Sequence, residues 1–188
     1  MKRDAMSAYD AEGRRKYLSR DEGKKFLSQA VLLPRARALF CLTIYYTGCR
    51  ISEAVNLKAA DIDTELNVIR ILCLKKRGKR EVRRIPVPEF LAMGLVEIGG
   101  SSKQQRIWRF HRTTGWRTIK KVMAAAGISG IHATTKGLRH GFGVRGALEQ
   151  IPVSVIRDWM GHADSETTAI YLAVRDEEER ELMGRTWK

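Results

Sequence analysis

No segment of this chain approaches 18 uninterrupted apolar residues, and its opening MKRDAMSAYD carries no apolar run of the secretory kind, so neither a membrane-spanning helix nor export is expected. Cysteine is scarce. Cys41, Cys49 and Cys73 are odd in number, lack metal-ligand spacing and lie among apolar neighbours, which argues against a disulfide framework or a zinc site and fits reduced thiols inside an intracellular protein. No repeat period and no low-complexity block occur. Acidic residues are the other shortage: 21 Asp and Glu stand against 35 Lys and Arg, a formal net charge of +14. An excess of that size points to a polyanionic partner.

A chain of 188 residues has room for one core, burying roughly 70% of the unfolded surface. The positive charge runs through periodic, foldable sequence and is densest in KKRGKREVRR at 75–84 and GLRHGFGVR at 137–145, so a folded basic surface is expected. Residues 1–18 are polar and without periodicity and read as a flexible arm. Ser19 and Glu22 then fit the S-x-x-E capping box ahead of Phe26, Leu27, Ala30 and Val31, which predicts a first helix. Pro34 opens the strongly apolar PRARALFCLTIYYTG, closed by Gly48, a second helix central to the core.

ISEAVNL continues as a short helix with Ser52 as its cap, and DIDTELNV reads as a turn. VIRILCL and EVRRIPVP flank Gly78 and predict a hairpin over 68–87 with a very basic tip. Further helices are predicted in PEFLAMGLVEI, TTGWRTIKKVMAAAGI, TTKGLRHGFGVRGALEQ, PVSVIRDWM and SETTAIYLAV, each with a Ser, Thr or Pro start signal or a Gly stop. The fold class is α+β, mainly helical with a small antiparallel β hairpin or sheet.

In order along the chain stand Arg50 in TGCRISEAVNL, the lysines of the hairpin tip, Arg139 in TTKGLRHGFG, His162 in MGHADSETTAIY, and Tyr171 nine residues after that histidine. Two arginines suit a phosphodiester under attack, because their planar, permanently charged forks match the oxygens on which negative charge builds. An imidazole keeps at least one N–H to donate in either protonation state. Order and spacing together resemble the tyrosine recombinases, the phage-integrase family, whose pattern is Arg, a hairpin Lys, His-x-x-Arg, His or Trp, then a nucleophilic Tyr. The match runs from about residue 19 to about residue 175.

The resemblance implies that residues 19–175 form the catalytic domain of that family. Tyr171 would attack the phosphodiester and become joined to the DNA 3′ phosphate, releasing a 5′ hydroxyl, with Arg50, Arg139 and His162 around the phosphate. Either Lys75 or Lys76 would protonate the departing oxygen. One ester is exchanged for another, so no cofactor is implied, and the chain shows no GxxxxGK[ST] loop and no paired metal carboxylates. The implied partner is double-stranded DNA, bound by a tetramer on paired sites, the free protein being a monomer or dimer, and no membrane is implied. The implied place is the cytoplasm, at the nucleoid, of a prokaryote, a virus or a mobile element.

At the His-x-x-Arg position the chain departs from the pattern and reads Lys136-Gly137-Leu138-Arg139. A lysine is ordinarily protonated at neutral pH and a poor proton acceptor, so Lys136 is assigned to charge stabilisation, with His140 and His132 as candidates to compensate. Glu53, three residues after Arg50, is a candidate to orient that arginine. Lys79, Arg80, Arg83, Arg109 and Arg117 are expected to touch DNA, and Trp108, Phe110 and Trp116 in RIWRFHRTTGWR mainly to pack. Relatives carry a helical core-binding domain ahead of this one. Here about 18 residues precede the first predicted helix, which implies no N-terminal core-binding domain, weaker DNA binding, and a clamp supplied by an accessory DNA-binding protein if at all. RDEEERELMGRTWK is expected to form a tail helix over 176–188 that packs on its own domain or docks on a neighbour in trans. Two other readings stay open: a non-enzymatic helix-turn-helix reader built on IPVSVIRDWMGHADSETTAIYLAV, and a nicking and closing enzyme of the type IB topoisomerase kind.

Overall fold

The computed structural model describes residues 7–74, 80–100, 102–161 and 183–184. Helix α1 (Arg20–Ala30) starts where the capping box places it: the Ser19 hydroxyl accepts the Glu22 N–H and the Glu22 carboxylate accepts the Ser19 N–H, so two otherwise orphaned donors are satisfied. Helix α2 (Arg35–Thr47) is buried from Ala38 to Tyr45, as expected of a helix apolar all round. Its threonines tolerate burial because their hydroxyls donate one turn back, Thr43 to the Leu39 carbonyl at 2.8 Å and Thr47 to that of Thr43 at 2.6 Å. The helix stops at Gly48, whose φ of +59° and close approach to the Phe142 ring, 2.6 Å from where a Cβ would stand, leave room for glycine.

Helix α3 (Ile51–Ala54) follows directly. Its N-cap position is Arg50, and the carboxylate of Glu53 accepts the Arg50 N–H at 2.8 Å. The expectation that Ser52 caps this helix is therefore corrected: Ser52 lies inside it, and a carboxylate one residue further on reaches back to do the same work.

Strands β1 (Ile62–Asp63), β2 (Val68–Leu74) and β3 (Arg80–Pro86) form an antiparallel sheet in the order β1-β2-β3. The predicted hairpin is present, and the segment read as a turn adds a two-residue strand beside it. The register pairs Leu74 with Arg80, Ile71 with Arg83 and Ile69 with Ile85. Alternation puts Ile69, Ile71, Cys73, Arg83 and Ile85 on the buried face and Leu72 and Val82 on the exposed one.

Helices α4 (Glu89–Gly99), α5 (Arg112–Ala125), α6 (Thr135–Leu148) and α7 (Val153–Met160) follow. Helices α1, α4, α5 and α6 all pack on α2. Phe40 of α2 meets Trp108 and Phe110 edge-on, with centroids 5.3 and 5.1 Å away, and Trp108 Nε1 donates to the Ala54 carbonyl at 2.6 Å. Two of the three aromatics of the basic aromatic segment thus pack as expected, while Trp116 is exposed on α5. Among the described residues no helix is long and apolar enough to cross a membrane.

The flexible arm expected over 1–18 is corrected in its described part. Ala8 and Tyr17 are buried with Val144 and Leu148 of α6 and Ile156 and Met160 of α7, Leu18 joins the main core, and its N–H donates to the Gly137 carbonyl at 3.2 Å. Asp10 closes the intervening turn by accepting from the N–H groups of Glu12 and Arg14. The physical reason is apolar area: Tyr17 and Leu18 side by side bury enough surface to dock an otherwise polar segment.

Candidate active site

Cys49 and Arg50 join α2 to α3, and the Gly48 carbonyl just before them points to the site. Arg50 is 46% exposed in its side chain and its Nη1 donates to Glu53 Oε1 at 3.0 Å, with Cys73 Sγ at 3.9 Å. Glu53 is the opposite case, 8% exposed. One carboxylate thus holds both the backbone and the guanidinium of Arg50 and leaves the outer side of that guanidinium to solvent. Burial pushes the neighbouring Cys49 thiol up to about 11, so it adds no negative charge here at neutral pH.

Arg139 comes to the same place from α6. Its Nη1 donates to the Gly48 carbonyl at 2.7 Å and its Nη2 to the Met160 carbonyl at 2.6 Å. Arg83 reaches in from β3: its Nη2 pairs with Glu53 Oε2 at 2.6 Å and its Nη1 donates to the Trp159 carbonyl at 2.8 Å. The last two carbonyls of α7, which have no partner within their own helix, are thereby taken by two guanidinium groups at the negative end of the helix dipole. The chain then leaves α7 through Gly161, φ +62°, and a Cβ there would meet Arg83 Cδ at 2.8 Å. His162 is the next residue in sequence.

Three guanidinium groups thus surround the Gly48–Arg50 loop, with Glu53 between two of them, and the excess is positive. Burial opposes ionisation of Glu53, but the Arg83 guanidinium, the Arg50 N–H and the Arg50 guanidinium outweigh it and hold its carboxyl below the usual glutamate range. A depressed carboxyl contributes stability that is present above its unfolded pKa and is lost as pH falls through the folded one. That loss begins near the ordinary glutamate value of about 4.3 and continues below it. Thermal melts between about pH 6 and about pH 3 are expected to show Glu53→Gln losing less stability than the parent; equal losses would remove Glu53 from the linkage.

Gly137 stands between Lys136 and Arg139 on the first turn of α6, whose N-cap Thr134 accepts the Gly137 N–H at 3.1 Å. A Cβ at Gly137 would lie 1.8 Å from the His132 carbonyl oxygen. In an open helix Gly→Ala gains about 1 kcal/mol, but here the collision is with backbone and dominates. Gly137→Ala is expected to destabilise the protein by about 3 kcal/mol, read from denaturant midpoints. A neutral or stabilised variant would show that the α6 start relaxes freely.

The structure thus places Arg50, Glu53 and Arg139 around the Gly48–Arg50 loop. Lys136 is exposed on the first turn of α6, and His140 is buried on the same helix. His132 pairs with Glu22 at 3.0 Å under α1, so it serves the α1–α6 contact. Arg109 and Arg117 are exposed, and Arg80 opens β3 opposite Leu74. Arg83 is a correction: expected on DNA, it is 2% exposed in its side chain and spent on Glu53 and Trp159. Strand parity carried the signal, since Arg83 shares a face with Ile85 and Val87 while Val82 and Arg84 point away. Lys75, Lys76, Lys79, His162, Tyr171 and, apart from Met183 and Gly184, the tail predicted over 176–188 lie outside the described residues. No group of three or more His, Cys, Asp or Glu placed to hold a metal occurs among the described residues.

A sequence model of the phage integrase family matches residues 16–178. The tyrosine recombinase XerA of Thermococcus onnurineus is 30% identical over 182 residues, covering 90% of this chain and 62% of that protein. The chain spans about three fifths of the length of such curated relatives. A crystal structure of XerA recombinase superposes with a TM-score of 0.76 at 25% identity over 90% of this chain and 64% of that one. The XerH site-specific recombinase bound to its difH substrate, a pre-cleavage complex, matches in fold with a TM-score of 0.72 at 20% identity, covering 96% and 60%.

Proposed function

The chain belongs to the phage integrase family, and from that premise we propose that it is a site-specific DNA recombinase that cleaves and rejoins strands through a 3′-phosphotyrosine. The phenolic oxygen of Tyr171 attacks the phosphorus as its proton passes to a neighbouring base or water, the bond to the 5′ oxygen breaks, and that oxygen leaves with a proton from Lys75 or Lys76. Arg50 and Arg139 grip the two non-bridging oxygens, His162 donates a further hydrogen bond, and Lys136 adds positive charge. Each guanidinium is held from behind, Arg50 by Glu53 and Arg139 by two carbonyls, so little reorganisation is needed as charge develops. An ester is exchanged for an ester, so the second transfer needs no energy source and can religate the strand.

The observation that supports this reading most is that Arg139, from α6, donates to the Gly48 carbonyl two residues before Arg50. Two guanidinium groups from distant parts of the chain are thereby anchored on one loop. The exposed Lys136, Arg109 and Arg117 are read as contacts to duplex DNA, on which paired sites would assemble four protomers.

A nicked duplex whose short downstream fragment, bearing the freed 5′ hydroxyl, diffuses away after cleavage tests the activity. The wild-type chain is expected to yield a covalent protein–DNA adduct that survives denaturation. Salt-dependent binding with no adduct on any duplex would favour a non-enzymatic DNA reader, since both readings predict log affinity falling by about 0.9 per phosphate neutralised.

A further inference from the structure

We propose that Arg83 is a positioning residue of this cleavage site: its buried guanidinium fastens Glu53, the carboxylate that holds Arg50, to the end of α7, so that the hairpin, Arg50 and the exit of α7 keep one fixed geometry. The inference rests on the strand-cleavage reading above.

Arg83 lies on β3, three residues from Arg80, where the strand leaves the basic hairpin tip. It faces inward between Ile71 across the sheet and the turn at Gly161. One side of its fork meets Glu53 Oε2 at 2.6 Å and another N–H meets the Trp159 carbonyl at 2.8 Å. A lysine could supply the charge, but one ammonium on a flexible stem cannot hold a carboxylate and donate to a carbonyl from the separate nitrogens of a rigid fork. The three elements so joined each lead to a proposed catalytic group: α3 to Arg50, the hairpin to Lys75 and Lys76, and α7 to His162 one residue beyond Gly161. Arg139 ties the same α7 end to Gly48, so Arg83 closes a ring of contacts running from Gly48 through Arg139, Met160, Trp159, Arg83 and Glu53 back to Arg50.

Burial is what separates this role from DNA contact. A phosphate cannot reach a side chain that is 2% exposed, so removing Arg83 should leave DNA affinity and its salt slope alone while slowing the chemistry. Supporting groups one contact removed from a reactive centre commonly matter 10- to 100-fold, the range known for the outer partners of metal ligands.

The test measures duplex affinity by anisotropy and, at saturating DNA, the rate of adduct formation on the nicked duplex, for wild type, Arg83→Met and Arg83→Lys, at a temperature where circular dichroism shows each folded. The expected result is unchanged affinity for both variants, adduct formation slowed about 10- to 100-fold in Arg83→Met, and partial recovery in Arg83→Lys. If Arg83→Met does not fold, Arg83→Lys carries the test alone, with a several-fold slowing expected. Adduct formation at the wild-type rate in the folded variants overturns the proposal and leaves the strand-cleavage reading intact. Lost affinity with a shallower salt slope and an unchanged rate overturns it in favour of phosphate contact. A wild-type chain that forms no adduct overturns the underlying reading, and this inference with it.

Discussion

Tyr171→Phe is expected to bind duplex DNA as the parent does and to form no covalent adduct with a nicked duplex. The substitution removes one oxygen and keeps the ring, so packing and charge are nearly unchanged while the nucleophile is gone. Removing a covalent nucleophile elsewhere costs on the order of 10⁶-fold in turnover, which in a trapping gel means no shifted band at any practical time. The control lies in the other tyrosines. Of the five in the chain, Tyr17 and Tyr45 are buried, Tyr17 shares a hydroxyl contact of 3.2 Å with Tyr9, and burial raises the pKa of Tyr46. None of these carries the spacing from His162 that singles out Tyr171. An adduct of undiminished yield in Tyr171→Phe would transfer the nucleophile to one of them and dismantle the proposed mechanism.

Arg139→Lys is expected to fold and bind DNA and to cleave about 10²- to 10³-fold more slowly, the cost of losing one preorganised donor to a developing oxyanion. The reason is geometric. Arg139 spends one N–H on Gly48 and one on Met160, at 2.7 and 2.6 Å, which fixes the plane of its fork at the site. An ammonium has three donors around one point and cannot span both carbonyls and a phosphate together. Because one positive charge is retained, affinity should change by no more than a few fold, so the loss belongs in the cleavage rate at saturating DNA. Cleavage within tenfold of the parent would mean that Arg139 is a structural tie between α6, α2 and α7 and no more.

Much of the local structure was legible in the residues. The capping box at Ser19 and Glu22 starts α1, Gly48 ends α2, and the β-branched runs either side of Gly78 form the hairpin, because each of these depends on neighbours within one turn or one strand. The misreadings have equally local causes. Ser52 looked like a cap by type, but Glu53 at the third helical position satisfies the Arg50 N–H instead. β1 was invisible because two residues show no period. Residues 7–18 were read as loose because Tyr17 and Leu18 are too few to make a pattern, yet two large apolar side chains suffice to anchor a segment once α6 and α7 offer a surface. Arg83 was assigned by its charge when its parity with Ile85 and Val87 already pointed inward.

What the sequence alone determined was the inventory and its order: an excess of positive charge, Arg50, the basic hairpin, Arg139, His162 and Tyr171 at spacings that named the family. The tertiary structure decided which of the arginines face solvent and which are spent inside. Arg139 finds its acceptor 91 residues away and Arg83 finds one 76 residues away. A guanidinium can be buried only where some other part of the chain brings it an acceptor, and sequence patterns reach no further than the next turn.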